Sequence, residues 1–144
     1  MKLLDTDTCV ELLRGNEAVI DRRVQVSEEV VTSWITAAEL YFGAAKSTAS
    51  DENRLLVTEF LTTLRVVGID RASAQAFGKV KALLERAGGG LADADLLIGA
   101  IGLAHGAAVV TGNTRHMRRI PGLAIESWVP VEPHGPLRSR RARR

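Results

Sequence analysis

Residues 91–111 read LADADLLIGAIGLAHGAAVVT. After Asp93 and Asp95, nine residues pass without a charged or polar side chain, until His105. That run is too long for an ordinary strand and carries no polar face, so it predicts a helix from Asp93 or Ala94 to His105 that is buried all round. Gly106 stops it. Ala107 to Thr111 then predicts a short apolar strand. A buried helix running directly into a strand is the repeating unit of an α/β sheet.

Working outward, the same alternation holds. Leu3-Leu4 reads as a strand ending at Asp5. A helix capped by Asp7 or Thr8 follows, running to about Arg14 with Gly15 as its stop. Glu17 to Arg23 predicts a second helix, and Val30 to Ile35, rich in β-branched residues, a second strand. Thr36 opens a helix through about Lys46. Asp51 to Thr63 is a further helix, with Leu55, Leu56, Phe60 and Leu61 near helical spacing. Arg65 to Ile69 is a third strand, and Asp70 to about Ala87 a long helix closed by Gly88-Gly89-Gly90. Ala124 to Glu126 forms a last edge strand. The expected fold is three-layer α/β/α, with a central, mainly parallel sheet of four to five strands.

The chain is long enough for one domain with its own core. Hydrophobic residues make up 46% and aromatics only 4%, so aliphatic side chains must fill the interior. The least polar stretch is interrupted at His105, which leaves no credible membrane span, and no signal peptide is visible. Cys9 is the only cysteine, which excludes an internal disulfide and suits a reducing cytoplasm. The net charge of +2 hides an asymmetry. Five of the 19 basic residues are Arg138, Arg140, Arg141, Arg143 and Arg144; the remaining 14 face 17 acids, a net of −3. We therefore expect a domain over 1–130 and a disordered Pro/Arg-rich tail over 131–144, whose arginines are candidates for sequence-independent phosphate contacts.

In a parallel sheet, sites lie beyond the carboxyl ends of the strands, which makes acids near those ends candidates. Asp5 is one, since Asp7 and Thr8 already offer helix caps. Thr36-Ala37-Ala38-Glu39 fits a capping box, yet that turn also stands at a strand's carboxyl end, so Glu39 suits either role. One of Asp93 and Asp95 is expected to cap the apolar helix. Two carboxylates in so apolar a setting need donors or a cation, and a hard divalent ion is an obvious compensator. The histidines lack zinc-ligand spacing, and the triple glycine lacks the Lys-Ser/Thr of a phosphate-binding loop.

Four segments together resemble the PIN-domain family, and within it the VapC toxins of bacterial toxin–antitoxin pairs. They are Leu3-Leu4-Asp5-Thr6-Asp7, the stretch Ser33 to Gly43 with Glu39 as its acid, Asp95-Leu96-Leu97-Ile98-Gly99-Ala100, and Val110 to Arg115 followed by Ile120-Pro121-Gly122-Leu123. The likeness covers about residues 3–128, with Asn113 where the family often has Asp. It implies a Mg²⁺-dependent endoribonuclease, with Mn²⁺ able to substitute, that cleaves structured RNA such as tRNA or rRNA and so inhibits translation. By the resemblance Asp5, Glu39 and Asp95 are the metal-site acids, and Asp93 and Asp7 can add charge. Thr6, Thr111, Asn113 and Arg115 are supporting or phosphate-contacting groups, with a surface ion pair the alternative for Arg115. A VapB-like antitoxin partner, a homodimer and a cytoplasmic location follow from the same likeness. Two other readings stay open: an inactive PIN-like RNA-binding module, and a phosphoacceptor signalling domain using Asp5, Asp70 and Thr111.

Overall fold

The computed structural model describes residues 1–130. The expectation of a tail over 131–144 lies outside the described residues. The elements are β1 (Lys2–Leu4), α1 (Thr6–Leu13), α2 (Glu17–Gln25), β2 (Val30–Ser33), α3 (Trp34–Ala45), α4 (Ser50–Leu61), β3 (Arg65–Val67), α5 (Arg71–Arg86), α6 (Asp93–His105), β4 (Ala108–Val110), α7 (Thr114–Met117) and β5 (Ile125–Glu126).

The strands form one sheet in the order β3-β2-β1-β4-β5, and every pairing is parallel. Successive side chains point to opposite faces, so the sheet divides two cores. On one face Leu3, Val31, Val67 and Val109 pack with Leu84, Ile98 and Ile101 of α5 and α6. On the other, Leu4 and Val110 pack with Cys9, Val19, Leu40 and Phe60, from α1 to α4. The three-layer expectation holds, with five strands. The chain runs from β1 outward to β2 and β3, then returns to the other side of β1 for β4 and β5. That reversal opens a crevice at the carboxyl ends of β1 and β4.

Ion pairs gather at the amino ends of β1 to β3, and reach from there across to β5. The N-terminal amine lies 3.1 Å from Glu28, Lys2 lies 2.6 Å from Glu126, and Arg22 lies 3.1 Å from the same Glu126. Glu29 adds a two-toothed bond to Arg65 at the start of β3.

Three local expectations need correction. Helix α3 begins at Trp34, because Ser33 ends β2 and also caps the helix, its Oγ accepting from the Thr36 N–H at 3.1 Å. Thr36 is therefore inside the helix, and Glu39 is not part of a capping box. In α4 the inward face is Val57, Phe60 and Leu61, while Leu55 and Leu56 are each 54% exposed. Helix α6 has no side-chain cap: its N-cap is Ala92, so neither Asp93 nor Asp95 fills that role. Its approach is fixed from outside, by Arg119 donating to the carbonyls of Gly89 and Gly90 at 2.7 and 3.1 Å. A further difference, α7, is too short for periodicity to reveal.

Helix α6 sits against the sheet through glycines. A Cβ on Gly102 would lie 2.8 Å from Val109 Cγ2 and 3.0 Å from Leu123 Cδ1, whereas one on Gly99 would meet chiefly the terminal methyl of Ile120. Val109 is β-branched, central in the sheet and unable to turn aside; the Ile120 methyl has a free torsion. Overpacking costs about 1–3 kcal/mol, and Gly→Ala returns up to about 1 kcal/mol of helix propensity. Gly102→Ala should therefore lower stability by about 1–2 kcal/mol, and Gly99→Ala by less than about 1 kcal/mol. Urea unfolding of both variants checks this; equal losses would show that Val109 yields as readily as Ile120.

Candidate active site

The crevice is lined by carboxylates from the start of α1, from α3 and from the start of α6. Asp5 follows β1 and is 5% exposed. Its N–H donates to the Val110 carbonyl at 2.9 Å, which ties it to the end of β4. Its Oδ1 accepts from the Thr6 N–H at 2.8 Å, so Asp5 itself caps α1. The expected caps, Asp7 and Thr8, lie inside the helix instead. Asp5 Oδ2 accepts from Thr111 Oγ1 at 2.8 Å, and that hydroxyl in turn accepts from the Asn113 N–H at 2.9 Å.

Asp7 sits beside it in the first turn of α1. Its two oxygens accept from the N–H groups of Thr8 and Gly112, at 2.8 and 2.7 Å. A Cβ at position 112 would lie 2.7 Å from Asp7 Oδ2, so only glycine permits this approach. Across the crevice, Thr6 Oγ1 donates to Glu39 Oε1 at 2.6 Å, joining α1 to α3. Asp95 is half-buried in the first turn of α6.

The acids feel one another. Burial pushes the Asp5 carboxyl from 3.8 up to about 6; the Thr111 and Thr6 bonds pull it back, and Asp7 and Asp95 add repulsion. Asp95 is also raised, by burial first and then by Glu39 and Asp7, with His116 opposing. Thus Asp5, Asp7, Glu39 and Asp95 share one electrostatic neighbourhood. Asp93 is elsewhere: its carboxylate is 3.0 Å from Lys81 Nζ and largely exposed, and it is not among the charges that shift Asp5 or Asp95. Arg115 is exposed on α7 and forms no ion pair among the described residues. Asp70, needed by the phosphoacceptor reading, is spent in a capping box with Ser73 after β3, two strands from β1.

The sequence reading passed over His116. Its Nδ1 lies 2.6 Å from Asn113 Oδ1, within the network that reaches Asp5 through Thr111. The i,i+3 spacing from Asn113 is its signal in the sequence, one that zinc-ligand spacing does not reveal.

The donor set is all oxygen, with no thiolate, which suits a hard divalent cation. Each Asp5 oxygen accepts one hydrogen bond and keeps a lone pair. Among the described residues no three acids or histidines are already drawn into a closed metal-holding group. An ion bound among these few carboxylates would keep coordination positions open to water. A groove leads away from Thr6 and Glu39 between α1, α3 and α4, walled by Val10, Leu13, Leu56 and Val57.

Comparison with known proteins gives this geometry a family. The PIN domain model matches residues 2–123. A tRNA(fMet)-specific endonuclease VapC from Salmonella typhimurium is 35% identical over 127 residues, covering 88% of this chain and 96% of that protein. Ribonuclease VapC2 from Haemophilus influenzae is 30% identical over 128 residues, covering 88% and 97%. A crystal structure of DNA-bound VapBC from Salmonella typhimurium superposes with a TM-score of 0.84 at 34% identity, covering 89% of this chain and 98% of that one. A Rickettsia felis VapBC2 structure bound to a promoter DNA fragment gives the same TM-score at 27% identity, with the same coverage. The chain belongs to the PIN-domain family of nucleases. Within it, the chain is an enzyme of the VapC ribonuclease type. Enzymes of this family generally use a divalent metal.

Burying Asp5 has a measurable cost. Below about pH 4 the carboxyl is protonated whether the chain is folded or not. Between about 4 and 6 the folded state holds a proton that the unfolded chain releases, so stability falls as pH rises; above 6 the full penalty, about 3 kcal/mol, is in place. Asp5→Asn should therefore be more stable than the parent by about 1–3 kcal/mol at neutral pH, the gain shrinking towards zero below about pH 4. Urea unfolding across pH, without added metal, reads this directly. A pH-independent difference would mean that Asp5 does not titrate in this window.

Proposed function

We propose that the protein is a Mg²⁺-dependent endoribonuclease acting as the toxin of a toxin–antitoxin pair, cutting structured RNA such as tRNA or rRNA and so blocking translation. The observation that carries this reading is the convergence of Asp5, Glu39 and Asp95 from β1, α3 and α6 on one crevice, with Thr111 and Thr6 fixing two of them.

Asp5, Glu39 and Asp95 would hold the ion, and Asp7 would add negative charge beside it. A bound Mg²⁺ or Mn²⁺ supplies an activated water at neutral pH and offsets charge that builds on the phosphate. Thr111 holds the Asp5 carboxylate in place, and Thr6 fixes Glu39 against α1. Gly112 locks Asp7 through its backbone N–H. Arg115 and His116, on the α7 side, offer donors to a phosphate. Asp93, engaged by Lys81, would serve the ion only at longer range.

Asp95→Asn should remove metal-dependent cleavage by well over ~100-fold, while Thr6→Val, which loses only a supporting bond, should cost roughly 10–100-fold. Purified protein, bulk tRNA and rRNA, a Mg²⁺ and Mn²⁺ series and mapping of the cut ends check both. Full activity in folded Asp95→Asn would sink the site assignment.

The partner is proposed to be a VapB-like antitoxin, with the toxin itself a homodimer. Relatives of this chain crystallise as VapBC complexes. The groove beside Glu39 exposes Leu13 and Leu56, an apolar seat next to an acid cluster, and an arginine from a partner lying there would neutralise the carboxylates. Expression alone should arrest growth, and co-expression of the adjacent small gene should relieve it. Harmless expression of active enzyme would overturn the toxin role and leave the nuclease intact.

A further inference from the structure

The following inference rests on the nuclease reading and extends it to how a base of the RNA is held. We propose that Trp34, at the start of α3, is a stacking platform for an RNA base next to the carboxylate crevice.

Exposure supplies the first argument. Trp34 follows Ser33, the last residue of β2, and opens α3 at the carboxyl end of the sheet. So large a ring is ordinarily well buried, yet Trp34 is 57% exposed and belongs to neither apolar cluster of the sheet. The chain's other tryptophan, Trp128, is buried. Gly68, just past β3, stands against the indole: a Cβ there would lie 3.7 Å from Trp34 Cδ1. With glycine at that position, no side chain of residue 68 covers this edge of the ring. Ile69 follows it and is exposed as well.

Position supplies the second. Helix α3 carries both Glu39 and Trp34 at the end of the sheet where the acids converge. Glu39 is bound on the β1 side, by Thr6. Trp34 lies on the β3 side, against Gly68. Thr6 Oγ1 is also within 3.2 Å of Thr36 Oγ1, which ties the first turn of α3 to α1. Neighbouring strands are about 4.8 Å apart, and β3 is two strands from β1. The β3 side of the crevice thus stands about 10 Å from the strand that ends at Asp5. A nucleotide next to the one being cut can cross that span.

Size and charge favour a base over a second copy of the chain. An exposed indole face offers on the order of 100 Å², against about 800 Å² per partner in a stable protein interface. The next exposed aromatic of α3, Phe42, is eight residues on, about 12 Å along the helix. The Lys46 ammonium already stands over its ring at 5.0 Å. Unpaired bases present flat faces that stack on aromatic side chains whatever the base. Arg71, exposed at the first position of α5 and three residues on from Gly68, adds a cation at the same edge for the phosphate that accompanies the base.

The test titrates labelled oligoadenylate, and an abasic phosphodiester strand of the same length, into the full chain with MgCl₂ present. All chains carry Asp95→Asn, so that RNA is bound but not cut. Trp34→Ala should weaken oligoadenylate binding about 5- to 100-fold and leave the abasic strand unaffected, while Trp34→Phe keeps most of the affinity. Oligoadenylate should quench the tryptophan emission of the chain that retains Trp34. It should leave Trp34→Phe, whose remaining indole is the buried Trp128, unquenched. Unchanged oligoadenylate binding in Trp34→Ala would overturn the proposal. An equal loss for both strands would overturn it too, since the residue would then act on the fold and not on a base. So would a shift of Trp34→Ala from dimer to monomer in light scattering, which would give the indole to a second copy. Quenching needs no catalysis: if the chain with Asp95 intact cleaves no RNA with metal present, the nuclease reading fails, and the quench still decides whether the indole meets a base.

Discussion

The Asp5 carboxylate, buried at the seam between β1 and β4, is the constraint on which the site depends. A parallel sheet whose order reverses at β1 must leave a crevice there, and the first residue past β1 lands in it. Asp5 is held from both sides of the seam: by its backbone on Val110, and by its side chain on Thr111 and the Thr6 N–H. Those bonds do not offset the desolvation, and its ionisation is displaced to about 6. The fold tolerates this because the two apolar clusters on either side of the sheet fix the strands that carry it. Carboxylates placed so close together lower stability and gain from a cation, the usual relation between stability and function at such sites.

The remaining acids depend on how their helices are seated. Glu39 projects from α3, whose start is fixed by Ser33, and it is tied to α1 by a single hydroxyl. Asp95 depends on α6, which lacks a cap of its own. Arg119 steadies the glycine segment before α6, while Gly99 and Gly102 bring the helix close to β4 and to the segment around Ile120 and Leu123. Side chains far from the carboxylates therefore set the distance between them.

Much of this was legible in the sequence. The alternation of strand and helix, the buried α6 with its Gly106 stop, and Asp5, Glu39 and Asp95 as the converging acids all followed from periodicity, strand ends and four ordered motifs. The helix caps did not. Ser33 ends β2 and Asp5 directly follows β1, each capping the next helix with no loop between, and β-branched Ile35 and Thr36 carry the strand signal past the true boundary. A cap chosen by residue type then falls a residue or more too late. Asp93 looked like a partner of Asp95 by spacing alone; only the packing of α5 against α6 brings Lys81 to it. Leu55 and Leu56 fit the helical period but face outward, because the period does not say which apolar flank meets the core. His116 and Arg119 act through contacts with a neighbouring turn and a distant loop, which one sequence does not display.

The ion pairs at the amino ends of the strands have a consequence for how the molecule meets other molecules. There, Met1, Lys2, Glu28, Glu29 and Arg65 cancel one another in close pairs. At the carboxyl ends Asp5, Asp7, Glu39 and Asp95 form no ion pair among the described residues, while Asp93 is paired with Lys81. Carboxylates without ion-pair partners thus gather at one pole, with Arg14 and Lys46 on the groove beside Glu39 and Arg118 on the cleft beside Asp7. A polyanion approaching Asp5, Asp7, Glu39 and Asp95 meets repulsion that cations collecting among them would relieve. Divalent ion concentration and ionic strength would then govern how often productive encounters happen, before any bond is broken.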